Sequence, residues 1–301
     1  MMAIAVITAL VLQLTGWWPH LSIASQTKLA TAVTPPGQVI ALPVSPSAPI
    51  PAASPTPLSL DSASSVYAID VASGQVLYAQ NADKPRPIAS VTKLMTVMVA
   101  LGSLKPTQMV TVGDLPKYDV VDETMGLMPG EQLSVMSLLK AALIPSDNDA
   151  ADALALATSG TLPKFYAAMN ARAAQWGIKN AHFTSASGLN DTGNDVSAAA
   201  VAKIASLDLT NPLFRQLINT QGTTVTDTAG RTLTMTASND LLATGRFYGI
   251  KTGYTEAAGE CFAGLTKING HEVITVVLGS SDRFGETQSL VNWIGQTWTW
   301  L

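Results

Sequence analysis

The sequence predicts an α/β fold of the α+β type, a mainly antiparallel sheet flanked by helices. Three observations predict it. Two apolar runs around the turn "ASGQ" open the domain at about Ser62, and the middle of the chain, to about residue 218, reads mostly as helices. Strand-like runs then return in the C-terminal part and are followed by a last amphipathic helix. Strands at both ends with helices between imply a sheet assembled from distant segments, which brings the region of Ser90 beside the "KTG" stretch at Lys251.

Each element has a local reason. "SSVYAIDVASGQVLYAQNAD" reads as a hairpin, because two apolar runs flank a turn sequence. Residues 88–103 form an uncharged helix apart from Lys93 near its start. "SVMSLLKAAL" is a second apolar helix with Ser134 placed as its N-cap. Pro145 breaks the chain just ahead of "SDNDAADALALAT", which resumes as a helix. "FTSASGLNDTGND" is an irregular loop. "YGIKTGY", "GECFAGLTKI" and "HEVITVVLGSS" read as strands, and the Asn269-Gly270 dipeptide between the last two is a strong two-residue hairpin signal. A helix from about Gly285 to Trp300 closes the chain.

Ahead of the domain, residues 1–25 carry an apolar core from Met2 to about Leu14, with Ser22 and Ala24 at the spacing of a signal-peptidase site. A cleaved secretory signal and an uncleaved N-terminal anchor, with Trp17 and Trp18 at the interface, both fit this segment. Either places the domain outside the cytoplasm, secreted or held at the outer face of the cytoplasmic membrane. Residues 26–60 are rich in Pro, Ala and Ser and read as an extended linker. Residues 61–301 form the domain, and with the chain closing at Leu301 any membrane tether is expected at the N-terminus.

Composition narrows the function. Of 301 residues 47% are apolar, enough for a substantial core, and 17 basic residues face 21 acidic ones. This offers no basic surface for a phosphate backbone, so nucleic acid is excluded as a partner. One cysteine, Cys261, rules out an intrachain disulfide framework and a cysteine-rich zinc site, and the three histidines form no ligand pair. No metal or other cofactor is expected.

The question is why Lys93 stands at the mouth of an uncharged helix. A snorkelling side chain is one reading. A serine nucleophile with its base one turn away is the other, since Ser90 and Lys93 at i and i+3 share a helix face. The rest of the chain decides between them. Ser90-Val91-Thr92-Lys93, Ser146-Asp147-Asn148 and Lys251-Thr252-Gly253 occur in that order, at a helix start, after a chain break and on a strand. Together they resemble the motif set of penicillin-binding proteins and class A β-lactamases.

The chemistry explains the residue types. A serine hydroxyl attacks an acyl carbon only if a neighbour takes its proton. Lys93 can do so when neutral, and burial near the second cation, Lys251, favours that form. Ser146 would relay a proton to the leaving group, and the Asn148 amide would hold Lys93 and the substrate backbone. Lys251 and Thr252 would bind a substrate carboxylate, while Gly253 keeps the strand surface clear for a peptide. The backbone N–H groups of Ser90 and Tyr254 would face the oxyanion, at roughly 3 kcal/mol per donor.

Beyond these motifs, "IASVTKLMT", "LIPSDNDAADALA", "FTSASGLND" and "GIKTGYTEAAGECFAG" resemble blocks of the low-molecular-mass D-alanyl-D-alanine carboxypeptidases, from about Ser62 to Leu301. The resemblance implies a β-lactamase/transpeptidase-like sheet sandwiched by helices, with a largely helical subdomain carrying Ser146. It also implies acylation of Ser90, a stem peptide of peptidoglycan ending in D-Ala-D-Ala as substrate, and β-lactams as covalent inhibitors. Two features depart from the family: Asp147 stands where Ser-Gly-Asn is usual, and the β-rich second domain of many relatives does not follow.

The rivals are a D,D-endopeptidase using the same residues, a class A-like β-lactamase and a penicillin sensor that acylates without turnover. The β-lactamase requires a glutamate between the second and third motifs, and Asp149 to Ile250 contains none. Asp191 and Asp195 are assigned to turns. A Ser-His-Asp enzyme would need His182 or His271, and neither has a catalytic context. Cys261, ten residues beyond Lys251, is expected to be a buried core residue.

Overall fold

A computed structural model describes residues 48–54, 57–117, 123–189 and 192–301. The leader, most of the linker and Asp191 lie outside the described residues. The described residues all belong to one compact unit, Val44–Leu301.

Strand β1 (Ile50–Pro51) lies within the segment read as linker. It pairs with β13 (Trp298–Thr299), so the folded unit begins ahead of Asp61, where composition alone places its start. The predicted hairpin is β2 (Ser65–Asp70) and β3 (Val76–Gln80), and β4 (Arg86–Pro87) leads into the first helical turn. Helix α1 (Lys93–Leu101) is preceded by a 3-10 turn at Ala89–Thr92, so Ser90 sits on the tighter turn and not on the α-helix expected over 88–103.

The short ladder of β5 (Met109–Thr111) and β6 (Gln132–Ser134) leads to α2 (Val135–Leu143), whose cap is Ser134 as the sequence predicts. Helix α3 (Asn148–Ser159) starts at an Asp147 cap and stops at Gly160, whose φ of 75° is left-handed. Then come α4 (Leu162–Gln175), β7 (Asp195–Val196), α5 (Ala198–Asp208) and α6 (Pro212–Ile218), with Pro163 and Pro212 in first turns where an amide is not needed. Between α4 and β7, residues 183–189 and 192–194 are irregular, as expected.

A hairpin of β8 (Gly222–Thr226) and β9 (Thr232–Thr236) adds to the strands that the sequence predicts; most of its threonines share one face, with Val225, Leu233 and Met235 on the other, and the Thr-Leu-Thr-Met-Thr alternation of β9 is a strand pattern left out of the expectation. The last strands are β10 (Phe247–Thr255), β11 (Gly259–Ile268) and β12 (His271–Ser280). Asn269 and Gly270 both take positive φ, 52° and 88°, as a type I′ turn requires. Helix α7 (Arg283–Thr297) ends earlier than Trp300 because the chain turns into β13.

The central sheet runs β10-β11-β12-β2-β3, antiparallel throughout, so both ends of the domain build it as the sequence implies. Alternation along β12 shows why it is covered on two sides. Ile274, Val276 and Leu278 join the larger core with α1–α5, whereas Val273 and Val277 pack with Leu290, Val291 and Ile294 of α7. Each such buried side chain contributes roughly 1.5–3 kcal/mol. Strand β10 lies at one edge of the sheet, and the 3-10 turn of Ser90 packs against it.

Candidate active site

The turn bearing Ser90 is held by close backbone approach. Ala89 adopts φ 48°, and two glycines crowd the turn from either side. A Cβ on Gly188 would fall 2.0 Å from Ala89 O, and one on Gly253 would fall 2.9 Å from Ser90 N. Only glycine permits this packing at both positions. Ala186 and Asn194 are also tied to the first helical residues: Thr96 Oγ1 donates to Ala186 O at 2.7 Å, and Asn194 Nδ2 donates to Thr92 Oγ1 at 2.7 Å.

Lys93 opens α1 and is fully buried. Its Nζ lies 2.7 Å from Ser90 Oγ, 2.8 Å from Asn148 Oδ1, 2.9 Å from Ser187 O and 3.5 Å from Ser146 Oγ. Burial lowers its pKa to about 8, although Glu123, Asp147 and Asp152 pull it upward. A neutral amine has two hydrogens and one lone pair. With Asn148 Oδ1 and Ser187 O accepting the hydrogens, the lone pair is left for the Ser90 hydroxyl.

The second motif follows a sharp change of direction. Asp147 N donates to Ala141 O at 2.9 Å, and Ser146 sits at φ 79°, a strained conformation for a non-glycine residue. Asn148 N donates to Glu123 O at 2.9 Å, which ties this motif to the loop ahead of it. Asp147 accepts from Ala150 N at 2.7 Å as the cap of α3. Burial lifts its carboxyl to about 7, with Asp149 adding to the rise and two backbone amides and Lys93 opposing it.

The third motif lies on β10. Lys251 is buried and donates to Thr252 O at 3.0 Å. Burial, the Lys93 charge and Arg283 push its pKa well below the usual lysine range, and Glu123 pulls it back. Thr252 Oγ1 is 2.6 Å from Ser238 Oγ, and Gly253 O accepts from Arg283 Nη1 at 3.0 Å. Tyr254 follows with its side chain exposed.

The fold thus brings Ser90, Lys93, Ser146 and Asn148 into direct contact and sets Lys251 to Tyr254 beside them. Glu123, Ser187, Gly188, Ser238 and Arg283 join the site without being singled out by the sequence. Ser187 contributes only a main-chain carbonyl, which leaves no side-chain signature, whereas Gly188 lies in "FTSASGLND" as a glycine in an irregular loop. The histidines are elsewhere engaged: His182 Nδ1 bonds Gly193 O at 2.7 Å, and His271 stacks on Trp300. Cys261 is buried opposite Gly253, with its thiol 3.9 Å from Ala258 O.

Comparisons with known proteins agree with this geometry. A family model described as D-alanyl-D-alanine carboxypeptidase, peptidase family S11, matches residues 52–282. The D-alanyl-D-alanine carboxypeptidase DacF of Bacillus subtilis is 30% identical over 228 residues, which cover 73% of this chain and 58% of that protein. A D-alanyl-D-alanine endopeptidase of Pseudomonas aeruginosa is 34% identical over 241 residues, covering 76% of each. Among solved structures, the Streptomyces K15 DD-transpeptidase superposes with a TM-score of 0.74 at 28% identity, covering 79% of this chain and 99% of that one. The chain spans less than two thirds of the length of the B. subtilis relative. On the match over 52–282, with the three motifs converging on one buried lysine, the chain belongs to the S11 peptidases, the D-alanyl-D-alanine carboxypeptidase family.

Proposed function

We propose that this protein is a serine-type D-Ala-D-Ala carboxypeptidase that removes the terminal D-alanine of peptidoglycan stem peptides through an acyl-enzyme on Ser90. The observation that carries this reading is the Lys93 amine, buried and 2.7 Å from Ser90 Oγ, with two acceptors, Asn148 Oδ1 at 2.8 Å and Ser187 O at 2.9 Å, available for its hydrogens.

In this mechanism Lys93 takes the Ser90 proton as Oγ attacks the carbonyl of the penultimate D-alanine. The tetrahedral oxyanion is held by the N–H groups of Ser90 and Tyr254. The Lys93 ammonium gives a proton to Ser146 Oγ, which passes its own to the departing nitrogen, and D-alanine leaves. Lys251 and Thr252 bind its carboxylate, and Asn148 holds Lys93 and the substrate backbone. Water then attacks the ester by the reverse proton path and restores Ser90. A β-lactam enters the same path, but its leaving nitrogen stays tethered.

The substrate places the enzyme outside the cytoplasm, reached through residues 1–25 as a cleaved signal or a retained anchor. No described helix is long and apolar enough to cross a membrane. Relatives carry both carboxypeptidase and endopeptidase names, so cleavage of cross-linked stems by the same residues is the second reading.

Intact-protein mass spectrometry with a penicillin and, separately, a D-Ala-D-Ala pentapeptide tests the proposal. A penicilloyl adduct on Ser90 alone, absent from Ser90→Ala, and release of D-alanine are expected. A penicilloyl adduct on another serine, or undiminished labelling of Ser90→Ala, contradicts it. Release of free stems from a cross-linked dimer with no cleavage of the pentapeptide identifies an endopeptidase instead.

A further inference from the structure

We infer that Ser238 is a positioning residue for substrate recognition: it holds the Thr252 hydroxyl with its proton turned toward the substrate carboxylate. The inference rests on the reading of Thr252 as a ligand of that carboxylate. Ser238 Oγ lies 2.6 Å from Thr252 Oγ1, at the short end of the range for two hydroxyls. Among the described residues, each of these two oxygens is the other's one hydrogen-bond partner in the protein. Thr252 is buried and Ser238 half-buried, so water competes weakly for the contact on the threonine side.

The backbone fixes Ser238 from several directions. It lies between β9 and the 3-10 turn of Asp240–Thr244. Its own N–H donates to Ile144 O at 3.0 Å, and Ala237 N donates to Gln221 O at 2.9 Å. On the other side Asn239 caps the turn, its Oδ1 accepting from Leu241 N at 3.1 Å. Ile144 closes helix α2 just ahead of Ser146. One residue therefore joins the second motif to the third: its amide is set by the segment that delivers Ser146, and its hydroxyl sits on Thr252.

Hydrogen accounting gives this contact its direction. Two hydroxyls in contact share one hydrogen, and the second hydrogen points elsewhere. If Thr252 donates to Ser238, it turns only lone pairs toward an incoming anion and repels it. If Ser238 donates to Thr252, the threonine hydrogen is left for that anion. A carboxylate selects the second arrangement, because a hydrogen bond to an ionised acceptor is about twice as strong as one between neutral groups. The bond from Ser238 then polarises the Thr252 hydroxyl and strengthens its donation. Without the Ser238 hydroxyl, Thr252 Oγ1 loses the partner that fixes its orientation.

The test is the rate constant for Ser90 acylation by benzylpenicillin and by its methyl ester, which lacks the anion, in wild type, Ser238→Ala, Thr252→Val and the double variant. Ser238→Ala should slow acylation by the free acid about tenfold and acylation by the ester less than about twofold, a split that loss of packing would not produce. In the Thr252→Val background the same change should cost nothing further, because Ser238 acts through the threonine. Equal losses with acid and ester, or additive losses in the double variant, overturn the inference, and Ser238→Gly serves if Ser238→Ala does not fold. If Thr252→Val slows acid and ester alike, the reading of Thr252 fails. If Thr252→Val slows the acid selectively while Ser238→Ala does not, only the role of Ser238 falls.

Discussion

Lys93 and Asp147 show how burial sets residue chemistry at this site, in opposite senses. Burial favours the neutral amine of Lys93 and the protonated carboxyl of Asp147, whose pKa rises to about 7. The latter has a consequence for stability. The folded chain holds the Asp147 proton more tightly than the unfolded chain, so this group stabilises the fold most below about pH 4. Its contribution falls as pH rises to about 7 and is constant above that. The full span is at most on the order of 4 kcal/mol. Urea unfolding of wild type and Asp147→Asn from about pH 4 to 8 should show the wild type losing stability relative to the variant across that interval. A constant gap between them contradicts this account.

At the scale of elements, the Ser90 turn is positioned by backbone contact with β10 and with Gly188. Gly253 is the sharpest case, since an added Cβ would meet Ile88 O and Ser90 N at 2.9 Å each. Gly253→Ala must displace the nucleophile's own amide by a few tenths of an ångström. Penicillin acylation should fall about 10- to 100-fold, with the melting temperature within a few degrees of wild type. An unchanged acylation rate would show that the turn and strand are not in register-critical contact. This packing also marks where sequence reading stops. The order of strands and helices, the Ser134 cap and the Asn269-Gly270 turn follow from local propensity, and the three motifs from residue type. The Ser187 carbonyl carries no side-chain signal. The 3-10 start ahead of α1 depends on tertiary contacts that no periodicity records, whereas the β8–β9 hairpin is partly legible, since β9 alternates threonine with Leu233 and Met235.

At the scale of the whole molecule, the fold joins a helical layer holding Ser90, Lys93, Ser146 and Asn148 to an edge strand holding Lys251 to Tyr254. The substrate lies between them in the proposed mechanism. After acylation by a peptide, D-alanine departs and leaves room for water. After acylation by a penicillin, the leaving group remains attached and no glutamate between Asp149 and Ile250 directs water from another side. Rapid-quench kinetics should therefore find a penicilloyl-Ser90 that outlives the peptide acyl-enzyme by orders of magnitude; equal lifetimes would indicate a β-lactamase.

The central claim is that a neutral Lys93 deprotonates Ser90. Lys93→Arg preserves a buried cation but removes the lone pair, because a guanidinium is not deprotonated in this range. The decisive measurement is the rate constant for Ser90 acylation by penicillin in this variant, with circular dichroism confirming the fold. The account predicts a loss of several orders of magnitude; a folded variant that keeps more than about a tenth of the wild-type rate would show that the proton leaves by another route.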